Sequence, residues 1–138
     1  MNKLDEAKRL LGPEKAVFLI TIDETGKPDA RAMAIAKSEG PTLWMMTCKL
    51  SDKYRQLSKN PECLLYATDL EDTPSYMELR LRGKIELLDD AESKAAVWRD
   101  DYACYFPGGR DDPDLGVLKF TAESGTLQSQ AGKEKLAI

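Results

Sequence analysis

The sequence predicts a mainly β protein: six strands in an antiparallel sheet long enough to close into a small barrel, with short helices on its flanks. Period-two alternation dominates the chain, and helical spacing is confined to short stretches. Turn-forming segments such as "ETGKP" and "SEGPT" fall between the alternating runs, as expected for strands joined by hairpins. At 138 residues the chain is expected to fold as a single domain over residues 1–138, long enough to bury its own core.

Leu4, Ala7 and Leu11 share one helical face and Gly12-Pro13 supplies a stop, so a short helix opens the chain. "KAVFLITID" reads as a strand rich in β-formers, and "ETGKP" turns it into a long second strand, "DARAMAIAK". Alternation there puts Ala30, Ala32, Ala34 and Ala36 on one face and Arg31, Met33, Ile35 and Lys37 on the other, so one side is small and the other long. "LWMMTC" is the third strand. From Ser51 the pattern turns helical, with Tyr54 and Leu57 on one face, and it stops before Asn60-Pro61. "ECLLYATD" is a fourth strand and "YMELRLRGKIELL" a long fifth, in which Gly83 marks a bulge or bend. Asp89 or Asp90 caps a helix through "AESKAAVWRDD". An irregular loop, "YACYFPGGRDDPD", then leads to the last strand, "LGVLKFTAE", and a polar tail. Trp44 and Trp98 read as core side chains, whereas Tyr105 and Phe106 either border a pocket or pack over the barrel mouth.

Twenty basic against twenty-four acidic residues give a net charge of −4, with acidic clusters at "DLED", "DDAE" and "RDDPD". Such a surface repels a nucleic-acid duplex or an anionic membrane, and no apolar run approaches the ~20 residues of a bilayer span. The charged, amphipathic opening "MNKLDEAKRLLG" is unlike a signal peptide, so a cytoplasmic protein is expected. There is no histidine, which removes histidine triads, imidazole-ligated zinc and proximal-histidine haem. Cys48, Cys63 and Cys104 form no CxxC pair and read as free thiols, and "RDDPDLG" lacks the spacing of a calcium loop, so no metal site is expected. Neither a dinucleotide glycine fingerprint nor a Walker phosphate loop occurs.

The stretch "LWMMTCKLSDK" carries the chemistry. A helix starting at Ser51 offers unpaired backbone N–H groups and the positive end of its dipole, a setting that suits an anion. Lys53 in the first turn opposes the dipole unless an anion stabilises it. Thr47 at the strand end and Arg31 on the neighbouring strand converge on the same place if the two strands form a hairpin. Taken singly, Ser51 is an N-cap, Thr47 a β-branched strand residue and Lys53 a solvated lysine; the combination points to a phosphate.

In these residues the chain resembles the pyridoxamine 5′-phosphate oxidase-like FMN-binding split barrels: "RAM" on strand two, "MT", a serine four residues on and a lysine six on, then a helix ending in "NP". "YFPGGRDDPDLGVLKF" is similar to the general stress protein 26 branch of that superfamily. The resemblance implies a six-stranded antiparallel split barrel and a homodimer with one FMN at each of two interfacial sites. By position, Arg31 and Lys53 match contacts to the FMN phosphate, and Ser51 matches the helix start beside it. Ala32 and Met33 match the segment along the flavin, and Met46 and Thr47 the pair that borders the ring. Glu78 occupies the place of a glutamine that reaches across the interface. Asp52 stands where the oxidases have a second basic residue, and Leu127 where many relatives have a flavin-stacking tryptophan. The function implied is an FMN-dependent oxidoreductase of unknown small-molecule substrate, with no catalytic acid or base marked. Without histidine, and without an arginine in the tail "SQAGKEKLAI", it is not expected to be a true pyridoxine 5′-phosphate oxidase. A non-catalytic flavin-binding stress protein, or a ligand-free interaction module on the same barrel, are the readings left open.

Overall fold

The computed structural model describes residues 3–12, 17–71 and 75–138. A short helix α1 (Lys3–Ala7) continues as a 3-10 turn (Lys8–Leu11) and is followed by strands β1 (Val17–Ile22), β2 (Pro28–Met33), β3 (Lys37–Glu39) and β4 (Thr42–Cys48). Helix α2 (Asp52–Lys59), strands β5 (Glu62–Asp69) and β6 (Met77–Leu88) and helix α3 (Ala91–Val97) come next. Two 3-10 turns (Asp100–Cys104 and Gly109–Asp111) precede the 15-residue strand β7 (Leu115–Ser129) and the short β8 (Gly132–Lys135). The expected stop at Pro13 and the strand start at Lys15 lie outside the described residues.

The strands run β2-β1-β5-β6-β7-β4-β3, antiparallel throughout, and β8 joins the far half of β7. The path does not close, since β2 and β3 stand at its two ends, and the architecture is that of a mainly β split barrel with a few short helices. The described residues form eight strands in place of the six expected. One addition comes from the long second strand, which ends at Met33 opposite Val17, the first described residue of β1. Beyond it Ala36 donates its N–H to the Trp44 carbonyl at 2.8 Å, and the chain resumes as β3 along β4. Ala34 and Ala36 therefore belong to the crossing between strands. The other addition lies in the polar tail, which turns back along β7 as β8; all four of its residues are exposed, so it has no apolar alternation to read.

Local chemistry sets these elements. Between β1 and β2 the Asp23 carboxylate accepts from the Thr25 N–H (2.8 Å), the Thr25 hydroxyl (2.7 Å) and the Lys27 N–H (3.0 Å), and Gly26 supplies the left-handed φ of +80° that the turn requires. Asp90 caps α3 by accepting from the Ser93 N–H at 3.0 Å. One core holds Leu19, Leu43, Met45, Leu65, Leu81 and Phe120, and α1 with its 3-10 extension inserts Leu4, Ala7, Leu10 and Leu11 into it. Leu127 is a member of this core, 5% exposed. Trp44 is not: Leu43, Met45 and Thr47 take the buried face of β4, and Trp44 stands on the other, half-buried between the ammonium groups of Lys37 (4.8 Å) and Lys119 (5.9 Å). Trp98 is also only half-buried and donates its indole N–H to Asp100 at 3.1 Å.

The irregularity expected at Gly83 is a bulge on the facing strand. Arg82 pairs with Ser124 and Gly83 with Ala122, which leaves Glu123 over; the inward positions of β7 switch there from Phe120 and Ala122 to Gly125 and Leu127. A Cβ on Gly83 would stand 2.1 Å from the Thr121 carbonyl oxygen. Gly83→Ala is therefore expected to lower the unfolding free energy by about 1–3 kcal/mol, read as a reduced urea midpoint. An unchanged midpoint would show that β6 and β7 can separate at no cost.

Candidate functional site

The hook after β4 folds back on the strand it leaves. Ser51 donates its hydroxyl to the Cys48 carbonyl at 2.7 Å and its N–H to the same oxygen at 3.1 Å. Its side chain is thus turned back to the strand, and it makes no side-chain cap to the first N–H groups of α2. Lys53 donates to the hydroxyl of the buried Thr47 at 3.1 Å, and the Thr47 and Ser51 hydroxyl oxygens are 3.3 Å apart. Two hydroxyls and an ammonium therefore share one point at the start of α2. Burial pushes the Lys53 ammonium below the ordinary lysine value, and the nearby Arg31 guanidinium adds to that shift.

Arg31 lies on the inward side of β2 and is held in a ring of hydrogen bonds. One terminal nitrogen donates to the Thr21 hydroxyl (2.6 Å) and the Asp29 carbonyl (3.1 Å), and the other to the Asp29 carboxylate (3.0 Å) and the Gln56 amide oxygen (3.2 Å). Thr21 donates to that same amide oxygen at 2.5 Å, and the Gln56 amide nitrogen donates to the Asp29 carboxylate at 3.0 Å. Thr21 and Gln56 are 0% and 4% exposed, so the ring sits under α2, with the Arg31 guanidinium paired to the Asp29 carboxylate. Neither was singled out from the sequence. The available signal was a polar residue at an inward position of each element: Thr21 alternating with Val17 and Leu19, and Gln56 beside Leu57.

Beside the hook lies a cleft of about 490 Å³, within the range of small-molecule sites. Ala32, Met33 and Ala34 at the end of β2 form one wall, and Met46, Thr47 and Cys48 at the end of β4 the other. Lys53 at the start of α2, and Tyr102, Tyr105 and Phe106 from the segment after α3, complete the lining. Of the residues expected at a cofactor, Ala32, Met33, Met46, Thr47 and Lys53 come together here, and Ser51 touches Thr47 from just outside. The Arg31 guanidinium is in the ring below. Glu78 is elsewhere, on β6, where its carboxylate accepts from the Tyr66 hydroxyl and pairs with Arg80 at 3.7 Å. Tyr102 and Cys48 were not anticipated as lining, the first because it sits in a 3-10 turn that no periodicity announces.

The three cysteines differ. Cys63 is half-buried, and desolvation pushes its thiol up to about 12; Cys48 borders the cleft, and Cys104 is exposed on the 3-10 turn that carries Tyr102.

A family model described as pyridoxamine 5′-phosphate oxidase like matches residues 2–138. The chain belongs to this family. Among solved structures, this pyridoxamine 5′-phosphate oxidase-like protein is similar to a protein related to general stress protein 26 from Clostridium acetobutylicum, with 34% identity, a TM-score of 0.85 and coverage of 98% of this chain and 94% of that one. General stress protein 26 from Bacillus anthracis matches at 16% identity and a TM-score of 0.77, over 96% and 97% of the two chains. An F420 reductase shares the fold at 19% identity and a TM-score of 0.62, over 86% and 94%. No curated protein matches the sequence. Among the described residues of this family member, no helix is long and apolar enough to cross a membrane.

Thr21→Val removes the hydroxyl that joins Arg31 to Gln56 while keeping shape. It is expected to cost about 1–3 kcal/mol of stability, because the partners stay buried and lose a bond. Urea unfolding checks this, and a cost near zero would mean that the ring is slack.

Proposed function

We propose that the protein binds FMN in this cleft and acts as a flavin-dependent oxidoreductase. The observation that carries the reading is the donor set at the start of α2: an ammonium with N–H groups beyond its bond to Thr47, the Thr47 hydroxyl, and helix N–H groups with no side-chain cap. Lys53 and the helix start would hold the phosphate beside Ser51, with Arg31 supplying positive charge near them. Ala32 and Met33 from β2 and Met46 from β4 offer apolar surface for a flavin ring. FMN when bound supplies hydride chemistry; the chain's own residues bind it, orient it and exclude water. Family membership supports flavin use, and the absence of histidine argues against a true pyridoxine 5′-phosphate oxidase. Turnover with NAD(P)H and an acceptor separates an oxidoreductase from a non-catalytic flavin carrier.

Saturating FMN is expected to raise the melting temperature by mass action. Lys53→Ala should weaken FMN on the order of ten- to a hundredfold and leave riboflavin nearly unaffected, since one charge-assisted hydrogen bond to phosphate is lost. The preference for FMN should also fade as pH rises, because the ammonium is the binding form and its folded pKa lies below the ordinary 10.5. Equal weakening of both ligands by the substitution would refute the phosphate contact.

The protein is further proposed to be a homodimer. Phe18 is 38% exposed on the outer face of β1, beside the half-buried Ile20 and Ile22, with Leu64 next to Ile20 on β5, an apolar strip that a second copy would cover. Glu78, which does not line the cleft within one chain, would then reach a flavin from the partner. Sedimentation at micromolar concentration is expected to give a dimer; a monomer that still binds FMN would sink the idea.

A further inference from the structure

We propose that the aromatic part of the cleft lining, at Tyr105, is a second ligand subsite for a flat conjugated molecule that carries no negative charge. This rests on the reading that Lys53 takes the cofactor's phosphate. Tyr105 lines the cleft and is 74% exposed, whereas the adjacent Phe106 is 6% exposed, so the second anchors the loop and the first is left open to a ligand. The platform is rigid. Tyr105 and Phe106 donate their N–H groups to the Tyr102 carbonyl at 2.9 and 3.1 Å, and the Asp112 carboxylate accepts from Gly108 (2.9 Å) and Asp114 (2.9 Å). The buried Lys94 ammonium donates to the Asp112 carbonyl at 3.0 Å and ties the loop to α3. Side chains on a loop fixed in this way can receive a ligand with little ordering cost.

Charge selects the ligand. Lys53 is the one charged side chain among the described residues that line the cleft. The segment from Arg99 to Asp114 holds five aspartates against two arginines, and Arg99 is paired with Asp101 at 3.1 Å. With Lys53 taken by the phosphate, no charged side chain of that lining is left to pair with an anion, and the loop's net negative charge disfavours one. A neutral or cationic ring can stack on the tyrosine.

The test uses the full chain and three probes of one shape: quinoline, N-methylquinolinium and quinoline-3-carboxylate, measured by equilibrium dialysis. On FMN-loaded protein, quinoline and N-methylquinolinium should bind and the carboxylate should bind on the order of tenfold weaker or less. Tyr105→Ala should weaken quinoline on the order of tenfold and Tyr105→Phe should retain it. A parallel FMN-free arm uses Lys53→Gln, so that the lysine does not capture the carboxylate. No quinoline binding, a carboxylate bound as tightly as quinoline, or indifference to Tyr105→Ala overturns the subsite. FMN titration of the same samples decides the cofactor reading separately: the quinoline pattern in the FMN-free arm with no FMN binding would remove that reading and leave the subsite standing.

Discussion

The side-chain amide of Gln56 is shared between Thr21, Arg31 and Asp29, and this buried ring joins the inward face of α2 to the β1–β2 hairpin. A helix of eight residues has little stability of its own, so its position comes from what it is fastened to. Fastened there, its first turn lies against the end of β4, and Lys53 meets Thr47. The Arg55 contact to Glu24 at 2.8 Å is an exposed pair that adds little; the ring beneath carries the placement. The same ring keeps a guanidinium close enough to Lys53 to disfavour a second positive charge.

The sheet performs the matching task on the other wall. Because β2 stops at Met33 and the chain crosses directly to β3 and β4, the ends of β2 and β4 face one another without a ladder between them. Further along, the extra residue at Glu123 lets β7 change which parity faces inward, so one strand serves β4 in its first half and β8 in its second.

Much of this was legible in the chain. The turn after β1, the hook from Thr47 to Lys53, the end of α2 at Asn60 and the cap at Asp90 are all local, and local chemistry states them. What was not legible depends on partners distant in sequence. "LWMMTC" offers two apolar faces, and nothing within it says that Leu43 and Met45 face the core while Trp44 lies between two lysines. Arg31 reads as a free cation until Gln56, 25 residues away, takes part of its valence. Leu127 looks like a replaced ring contact until the bulge turns it inward. β8 is exposed at every position and so leaves no pattern.

The three thiols give the protein a built-in set of reporters. Desolvation holds the half-buried Cys63 thiol well above the ordinary cysteine value, which disfavours the thiolate that alkylating reagents attack. Cys104 is open to solvent, two residues from Tyr102 and next to Tyr105. A maleimide or fluorophore attached there would ride on the loop over the cleft. Its labelling rate or emission would then follow ligand arrival in real time, without any need for the ligand itself to be coloured.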